Sequence, residues 1–193
     1  DANEGASNRG LDVRLGDQHD IERVVRHFGP PRPVRVLDFG AGTGLWLQMA
    51  AALGCDTTAC EFAATAADRL CSLGHETVLL ADVESERFDF INSEQVFEHL
   101  VEPRAALAHL TRALRSGGVL RISVPDGSDI EKRLTLGDWS APKGTAASLN
   151  CVAPLEHLNC FDHASLTRLA SEVGLVPFRF PLQAEVHQTA RIR

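Results

Sequence analysis

The sequence predicts an α/β fold built on a largely parallel sheet. Short runs of apolar or β-branched residues alternate along the 193 residues with longer segments whose apolar side chains recur at helical spacing. This alternation is typical of parallel strands joined by helical crossovers. Glycine or glycine-proline turns separate many of the segments, and neither an internal repeat nor a composition shift divides the chain. We therefore expect a single domain over residues 1–193.

The amino-terminal half contains four predicted strands and three predicted helices. Asp17 can cap the first helix, in which apolar residues recur up to Phe28, and Gly29 with the two prolines after it ends the helix. The next two helices each end at a glycine. The predicted helices are 17–28, 45–53 and 63–73, and the predicted strands are 34–39, 57–61, 77–80 and 88–92.

The next part of the chain combines a regular and an irregular segment. A helix over 103–115 has a proline in its first turn and stops at Gly117 and Gly118, and a strand over 119–124 follows. Residues 126–160 lose all periodicity, and long irregular segments of this kind often cover binding sites. We expect these residues to form a lid over the substrate.

The chain ends with one predicted helix and two predicted strands. Asp162 can cap the helix, which ends at Gly174. Residues 176–180 and 185–192 have strand patterns separated by a short turn, so the sheet is expected to finish with an antiparallel hairpin.

Composition and charge argue against several classes of function. The chain carries 26 acidic and 19 basic side chains, a net charge of −7, whereas nucleic-acid binding needs a basic surface. No apolar run approaches the roughly 18 residues that cross a bilayer. The five cysteines form no C-x-x-C pair and are expected to be reduced thiols. We expect a cytoplasmic protein that neither binds nucleic acid nor spans a membrane.

A glycine-rich loop follows the first predicted strand. The strand ends in the acid Asp38 and leads through Gly40, Gly42 and Gly44 into a helix, whose first N–H groups have no partner within the helix. Glycines allow the backbone to turn sharply and to approach a ligand closely. The loop is therefore expected to bind a cofactor.

Spacing and charge distinguish between two cofactors. A dinucleotide-binding loop has the spacing G-x-G-x-x-G, which the three alternate glycines do not match. Asp38 would repel a pyrophosphate, but it would attract a cofactor that carries an ammonium and a sulfonium group. A nicotinamide-dependent oxidoreductase is therefore the second interpretation, and the absence of tyrosine removes one possible proton donor for it.

Six short motifs occur in a fixed order along the chain. They are LDFGAGTG at 37–44, Glu61, Ala81-Asp82-Val83, FDFINSEQVFEHL at 88–100, LRSGGVLRISVP at 114–125 and PLEHLNCFDHASLTRLASEVGL at 154–175. Together they resemble the class I S-adenosylmethionine-dependent methyltransferases, in particular the small-molecule and glycan-pathway group related to ubiquinone-biosynthesis O-methyltransferases. The resemblance implies a Rossmann-like, seven-stranded, mostly parallel sheet in the order 3-2-1-4-5-7-6, with helices on both faces. It also implies S-adenosylmethionine as cofactor and S-adenosylhomocysteine as product.

The resemblance assigns expected roles in binding the methionine part and the ribose of the cofactor. The residues implied around the methionine part are Asp38, Gly40, Ala41, Gly42 and Gly44, with the carboxylate facing its amino-acid end. Glu61 would accept hydrogen bonds from both ribose hydroxyls, because a carboxylate can receive several donors.

Further expected contacts follow from the third and fourth motifs and from the residue after Glu61. Phe62 would lie against the adenine, Asp82 would accept its amino group, and Val83 would lie beside the ring. Ser93 and Glu94 would border the methionine end of the cofactor.

Two histidines are the predicted catalytic residues. Methyl transfer requires the acceptor atom to be held in line with the leaving sulfur, and a hydroxyl acceptor also needs a base. Imidazole is suited to that role because it titrates near neutral pH. His157 is the first candidate and His99 the second, and both match histidines of the family. A purely structural role stays open for each.

A metal site is not expected. The residues Cys151, His157, Cys160 and His163 give the spacing C-x5-H-x2-C-x2-H, which is not that of a zinc finger.

The sequence predicts methyl transfer to a small-molecule or glycan-precursor acceptor, at oxygen. The lid offers Trp139 as a flat stacking surface among mixed charges, which fits a polar acceptor. Two alternatives stay open at this point: a non-catalytic cofactor-binding domain of a larger protein, and the nicotinamide-dependent oxidoreductase.

Overall fold

The computed structural model describes residues 2–153 and 155–180, which form a five-stranded parallel sheet between helices. The strands are β1 Arg35–Phe39, β2 Asp56–Cys60, β3 Glu76–Val78, β4 Phe88–Glu94 and β5 Leu114–Ser123. The helices are α1 Ala2–Phe28, α2 Leu45–Ala52, α3 Ala64–Ser72, α4 Pro103–Ala113, α5 Ile130–Leu136 and α6 His163–Glu172. Short 3-10 turns lie at Leu80–Asp82, Phe97–His99 and Asn150–Val152.

The strand order is β3-β2-β1-β4-β5, and every neighbouring pair is parallel. The order predicted for the first five strands is therefore confirmed. The order reverses next to β1, which runs between β2 and β4. In open α/β sheets, ligands bind in the crevice outside the carboxyl ends of the strands at such a reversal. The fold thus places the candidate site at the carboxyl ends of β1, β2 and β4.

The core has one layer on each face of the sheet, because successive strand residues point to opposite sides. Leu37 and Ile91 belong to the layer formed with α4 and α6. Val36 and Phe90 belong to the layer formed with α1, α2 and α3. The prediction of helices on both faces is confirmed. None of the helices within the described ranges is long and apolar enough to span a bilayer.

The seven-stranded sheet and its terminal hairpin are not found in the described part of the chain. Residues 176–180, the predicted sixth strand, are irregular, and residues 185–192 lie outside the described ranges. The rings of Phe178 and Phe180 pack instead around His27 at the end of α1, with ring centres 5.2 and 5.4 Å from it. The alternating apolar residues therefore cover the end of a helix.

The predicted start of the first helix was wrong. The helix begins at Ala2, and Asp17 lies within it and caps nothing. The Asp17 side chain is buried and lies 3.7 Å from the guanidinium of Arg121 on β5. Asp17 therefore contacts a distant strand and does not cap a helix, which the sequence around it did not indicate.

The glycine pair after α4 belongs to a strand and does not end the helix. The helix ends at Ala113, and β5 begins at once with Leu114. A bulge follows, because β5 pairs through Leu114 and next through Val119, while β4 advances by only two residues. Gly117 has a φ of 76°, which a bulge residue of this kind requires. The predicted boundaries of 115 and 119 are corrected accordingly.

The segment predicted to be irregular contains regular structure. Residues 126–160, called the lid segment below, include α5 and the 3-10 turn Asn150–Val152. A single parallel bridge between Asp126 and Phe161 joins its two ends. The segment therefore leaves the end of β5 and returns to a point close to where it began.

Candidate active site

The carboxyl ends of β1 and β4 meet at a buried carboxylate. Asp38 is 4% exposed, and the side-chain amide of Asn92 donates a hydrogen bond of 2.8 Å to its Oδ1. Burial deprives the ionised form of water and raises the pKa of Asp38 to about 7. The charges of Glu94 and Asp17 act in the same direction. A cation beside Asp38 would favour its ionised form.

An arginine that the sequence analysis missed lies behind this carboxylate. Arg121 donates a hydrogen bond of 2.8 Å to Oδ1 of Asn92, which fixes the amide that in turn donates to the buried acid. The same guanidinium lies 3.6 to 3.7 Å from the carboxylates of Asp17, Asp20 and Glu94. A single basic residue inside the otherwise apolar part of β5 was the available signal.

The glycine loop after β1 contains three residues in the left-handed region. Gly40, Gly42 and Gly44 have φ values of 80°, 52° and 77°. A Cβ at Gly40 would overlap the side chain of Val96, and one at Gly44 would lie 2.6 Å from Cδ2 of Leu70. Gly40 and Gly44 are therefore favoured by both backbone geometry and space, whereas Gly42 is favoured by backbone geometry alone.

Glu61 anchors this loop to the end of β2. Its Oε2 accepts a hydrogen bond of 2.7 Å from the backbone N–H of Gly42. Its Oε1 accepts from the N–H groups of Phe62 and Ala63, at 2.7 and 3.0 Å. A carboxylate has about four acceptor positions, so one remains for a ribose hydroxyl in this arrangement. A second hydroxyl could bind only in place of a backbone amide.

The three residues predicted at the adenine differ in exposure. Phe62 is 54% exposed and packs edge to face on Phe39, with ring centres 5.2 Å apart. Asp82 is exposed at the end of the 3-10 turn after β3. Val83 is buried in the core layer that includes α4. Two of the three side chains are thus accessible to a ligand, and the third is part of the core.

The end of β4 and the loop contribute further predicted residues. Ser93 is fully buried, and its hydroxyl has no hydrogen-bond partner among the described residues. Glu94 is partly exposed beside it, and Ala41 is buried in the layer that includes α2. An orphaned buried hydroxyl is a group that a ligand atom or a water can satisfy.

A cavity of about 820 Å³ lies between the strand ends and the lid segment. Gln95 after β4 and Pro125 after β5 form its inner side. The chain has two lysines, Lys132 and Lys143, and both line this cavity from the lid segment. Neither lysine forms an ion pair within the described ranges.

Arg133 also lines the cavity, but its guanidinium is engaged by the lid segment itself. It donates to the backbone carbonyls of Asp126, at 2.9 Å, of Ser148, at 3.0 Å, and of Ser128. Asp126 and Asp129 add two carboxylates to the lining. The two lysines are therefore the cationic groups that a substrate in the cavity can engage.

The two predicted catalytic histidines lie side by side. The rings of His99 and His157 pack edge to face with their centres 4.8 Å apart, next to the carboxylate of Glu98. Neither histidine is among the residues that line the cavity. A role for either as a base stays a prediction.

Comparison with known proteins gives a family and a relative. Residues 14–177 match the family described as a methyltransferase domain. Trans-aconitate 2-methyltransferase of Deinococcus radiodurans is 31% identical over 126 residues, which cover 61% of this chain and 47% of that enzyme. The chain thus spans about half the length of this curated relative.

Solved structures share the fold. S-adenosylmethionine-dependent methyltransferases of Aquifex aeolicus and Archaeoglobus fulgidus match with TM-scores of 0.56 and 0.58, at 18% and 16% identity. The matches cover 83% and 81% of this chain, and 81% and 66% of the respective relatives. The YcgJ protein of Bacillus subtilis matches with a TM-score of 0.62 at 15% identity, over 82% of this chain and 68% of its own. At these identities the likeness concerns the fold, and it supports the Rossmann-like class.

Replacing the buried acid is expected to stabilise the free protein at high pH. The pKa of Asp38 is about 7 in the folded state against 3.8 for the free group, so the unfolded chain loses this proton first. Stability therefore falls as the pH rises from about 4 to about 7, and the full cost is present at pH 8. Asp38→Asn removes that cost while retaining an acceptor for Asn92.

Urea unfolding of wild type and Asp38→Asn across this pH range measures the effect, with exposed Asp56→Asn as control. We expect a larger free energy of unfolding for Asp38→Asn at pH 8, and a difference that shrinks towards pH 4. A difference independent of pH would contradict the assignment.

Proposed function

The chain belongs to the methyltransferase domain family, and from that premise we propose that it methylates an oxygen atom of a small anionic acceptor. Members of this family take the methyl group from S-adenosylmethionine and release S-adenosylhomocysteine, so the cofactor expected from the sequence is confirmed. The observation that carries the proposal is the arrangement of Asp38, the glycine loop and Glu61 at the ends of neighbouring strands, beside a cavity with two lysines.

The residues at the strand ends fit the chemistry of this cofactor. Its ammonium and sulfonium groups are cationic, and Asp38 is a buried acid that forms no ion pair with the residues that the structure describes. Its ribose hydroxyls are donors, and Glu61 keeps one free acceptor position. The orphaned hydroxyl of Ser93 and the exposed ring of Phe62 supply a polar and an apolar contact. The glycine loop brings backbone atoms close without side chains in the way.

We assign the residues accordingly. Those that would hold the methionine part are Asp38, Gly40, Ala41, Gly42, Gly44, Ser93 and Glu94. Glu61 would bind the ribose, and the adenine would lie against Phe62 with Asp82 at its amino group and Val83 beneath. When bound, the cofactor supplies a methyl group on a sulfonium sulfur that leaves as a neutral thioether.

The cavity supports an anionic acceptor. Lys132 and Lys143 place two positive charges on its wall, and neither forms an ion pair within the described part of the chain, although Asp126 and Asp129 also line the cavity. The curated relative is named for trans-aconitate, a tricarboxylate. We therefore propose a small polycarboxylate as acceptor. The glycan-precursor acceptor stays a prediction, and an acidic sugar would meet the same two lysines.

A carboxylate acceptor accounts for transfer to oxygen without a base. Carboxylates are ionised at neutral pH, so no proton has to be removed before attack. The protein then contributes chiefly by holding the acceptor oxygen in line with the methyl group. This agrees with the position of His99 and His157 outside the cavity lining.

The cellular setting that we propose is the cytoplasm. All five cysteines are unpaired, which fits a reducing compartment.

The net charge of −7 argues against a nucleic-acid substrate. The family match leaves the nicotinamide-dependent alternative without support.

Binding and turnover test the proposal together. Wild type is expected to bind S-adenosylhomocysteine in calorimetry and to release it from S-adenosylmethionine with a polycarboxylate. Glu61→Gln is expected to weaken binding about tenfold or more, because its amide nitrogen cannot accept from the loop N–H groups. Exposed Glu84→Gln is the matched control. Tight binding of a nicotinamide nucleotide without that of S-adenosylhomocysteine would contradict the proposal, and binding without turnover on any acceptor would favour a non-catalytic domain.

Charge removal in the cavity tests the acceptor class. Lys132→Gln and Lys143→Gln are each expected to raise the KM for a tricarboxylate acceptor about tenfold, because each removes one compensating charge. Affinity for S-adenosylhomocysteine should stay at the wild-type value, as it should in the exposed control Arg168→Gln. An unchanged KM in both lysine variants would show that the acceptor does not use this wall.

A further inference from the structure

A cluster of metal-binding side chains lies where the turn after β4 meets the end of the lid segment. Glu98 and His99 come from the 3-10 turn Phe97–His99, and His157 comes from the other side. One ligand atom of each of the three residues lies within 4.8 Å of those of the other two. This group differs from the cysteine-histidine set considered from the sequence, because it uses an acid and a histidine from a distant turn.

The buried acid of this cluster has no hydrogen-bond donor from another residue in the described part of the chain. Glu98 is 1% exposed, and neither of its carboxylate oxygens has a partner among the described residues. A carboxylate withdrawn from water in this way is costly unless a proton, a cation or a donor compensates it. Burial accordingly raises the pKa of Glu98.

His99 presents a free lone pair to this acid. Its Nδ1 lies 2.7 Å from the backbone carbonyl oxygen of Glu156, which can only accept, so Nδ1 carries the proton. Nε2 of the neutral ring is then a lone-pair donor, 4.0 Å from Oε1 of Glu98. Metal-binding histidines are commonly held in this manner, with one ring nitrogen donating to a backbone carbonyl and the other on the metal.

His157 supplies a second imidazole with an unsatisfied nitrogen. Its Nδ1 is buried and has no hydrogen-bond partner in the described ranges. Ligand atoms around a tetrahedral cation with bonds of about 2.0 to 2.2 Å lie about 3.3 to 3.6 Å apart. Separations of up to 4.8 Å must therefore shorten by at most about 1.2 to 1.5 Å for the three side chains to close onto an ion.

Backbone hydrogen bonds and the Asn159 side chain also hold the two ligand-bearing segments together. The carbonyl of Glu98 accepts from the N–H groups of Leu158 and Asn159, at 2.7 and 3.0 Å. The side-chain amide of Asn159 donates to the carbonyls of Phe97 and Leu100, at 3.2 and 2.6 Å. The cluster is thus preorganised, which lowers the conformational cost of binding an ion.

We propose that Glu98, His99 and His157 bind one divalent transition-metal ion of the Zn²⁺ type. Two imidazole nitrogens and one carboxylate oxygen suit Zn²⁺ and its first-row neighbours, whereas Mg²⁺ and Ca²⁺ prefer all-oxygen sites. The ion compensates the orphaned carboxylate and the orphaned ring nitrogen of His157. His99 is the exposed member of the cluster, so the remaining coordination position faces solvent.

Such an ion would tie the base of the lid segment to the end of β4. It would also occupy the ring nitrogens through which the two histidines could act as bases. The inference does not depend on methyl transfer, and it is tested by metal uptake.

The test uses Zn²⁺ and Co²⁺ with the full chain, stripped of metal and then dialysed against each ion. We expect wild type to retain about one Zn²⁺ per chain by elemental analysis, and the Co²⁺ form to show visible d–d absorption. Glu98→Gln, His99→Ala and His157→Ala should each weaken Zn²⁺ binding about tenfold or more, with circular dichroism confirming the fold. Cys160→Ser and His163→Ala should bind as wild type does.

Thermal unfolding gives a second readout. At one fixed Zn²⁺ concentration the ion should raise the Tm of wild type and of the two controls, and should raise the Tm of the three cluster variants by less. Three outcomes would overturn the proposal: no Zn²⁺ retained by wild type, retention unaffected by all three cluster variants, or loss of retention in Cys160→Ser.

Discussion

The buried acid Asp38, near the end of β1, is the group around which Asn92 and Arg121 are arranged. Asp38 receives a single side-chain hydrogen bond, from Asn92, and burial raises its pKa to about 7. Arg121 approaches only the far side of that amide, so its charge does not contact the acid directly. A cation bound beside this carboxyl group would favour its ionised form. The burial of this acid makes the free protein less stable, and a cationic ligand would recover that stability.

The second acid of the site is arranged in the opposite way. Glu61 accepts three backbone N–H groups and thereby fixes the glycine loop to the end of β2. The carboxyl group of Asp38 thus has one side-chain hydrogen-bond donor among the described residues, while the carboxylate of Glu61 has three backbone donors. The two differ because the loop turns back over β2 and leaves the end of β1 facing the crevice. The two acids lie at the ends of neighbouring strands, and the cavity under the lid segment begins at Gln95, just beyond the end of β4.

The elements that depend on residues close together in the sequence could be predicted from it. The first five strands, their parallel arrangement and the glycine loop followed from apolar runs, crossover helices and the spacing of Gly40, Gly42 and Gly44. The order of the strands followed only from the resemblance to the methyltransferase family. Features that depend on distant partners were missed or misplaced. The glycines at 117 and 118 looked like a helix stop because their bulge exists only opposite β4.

The same reason explains the missed interactions at the site. Arg121 lies beside acids on α1 and β4 that are distant in the sequence. Glu98 lies beside His157, which is 59 positions further along the chain (157 − 98 = 59). The aromatic residues near 180 looked like a strand because alternation alone does not specify a partner, and they pack on α1.

A crystal structure of the protein with S-adenosylhomocysteine tests the central claim most directly. It should place a ribose hydroxyl on Glu61, the amino group beside Asp38, and the sulfur facing the cavity lined by both lysines. Density for the ligand away from the ends of β1 and β2 would contradict the account.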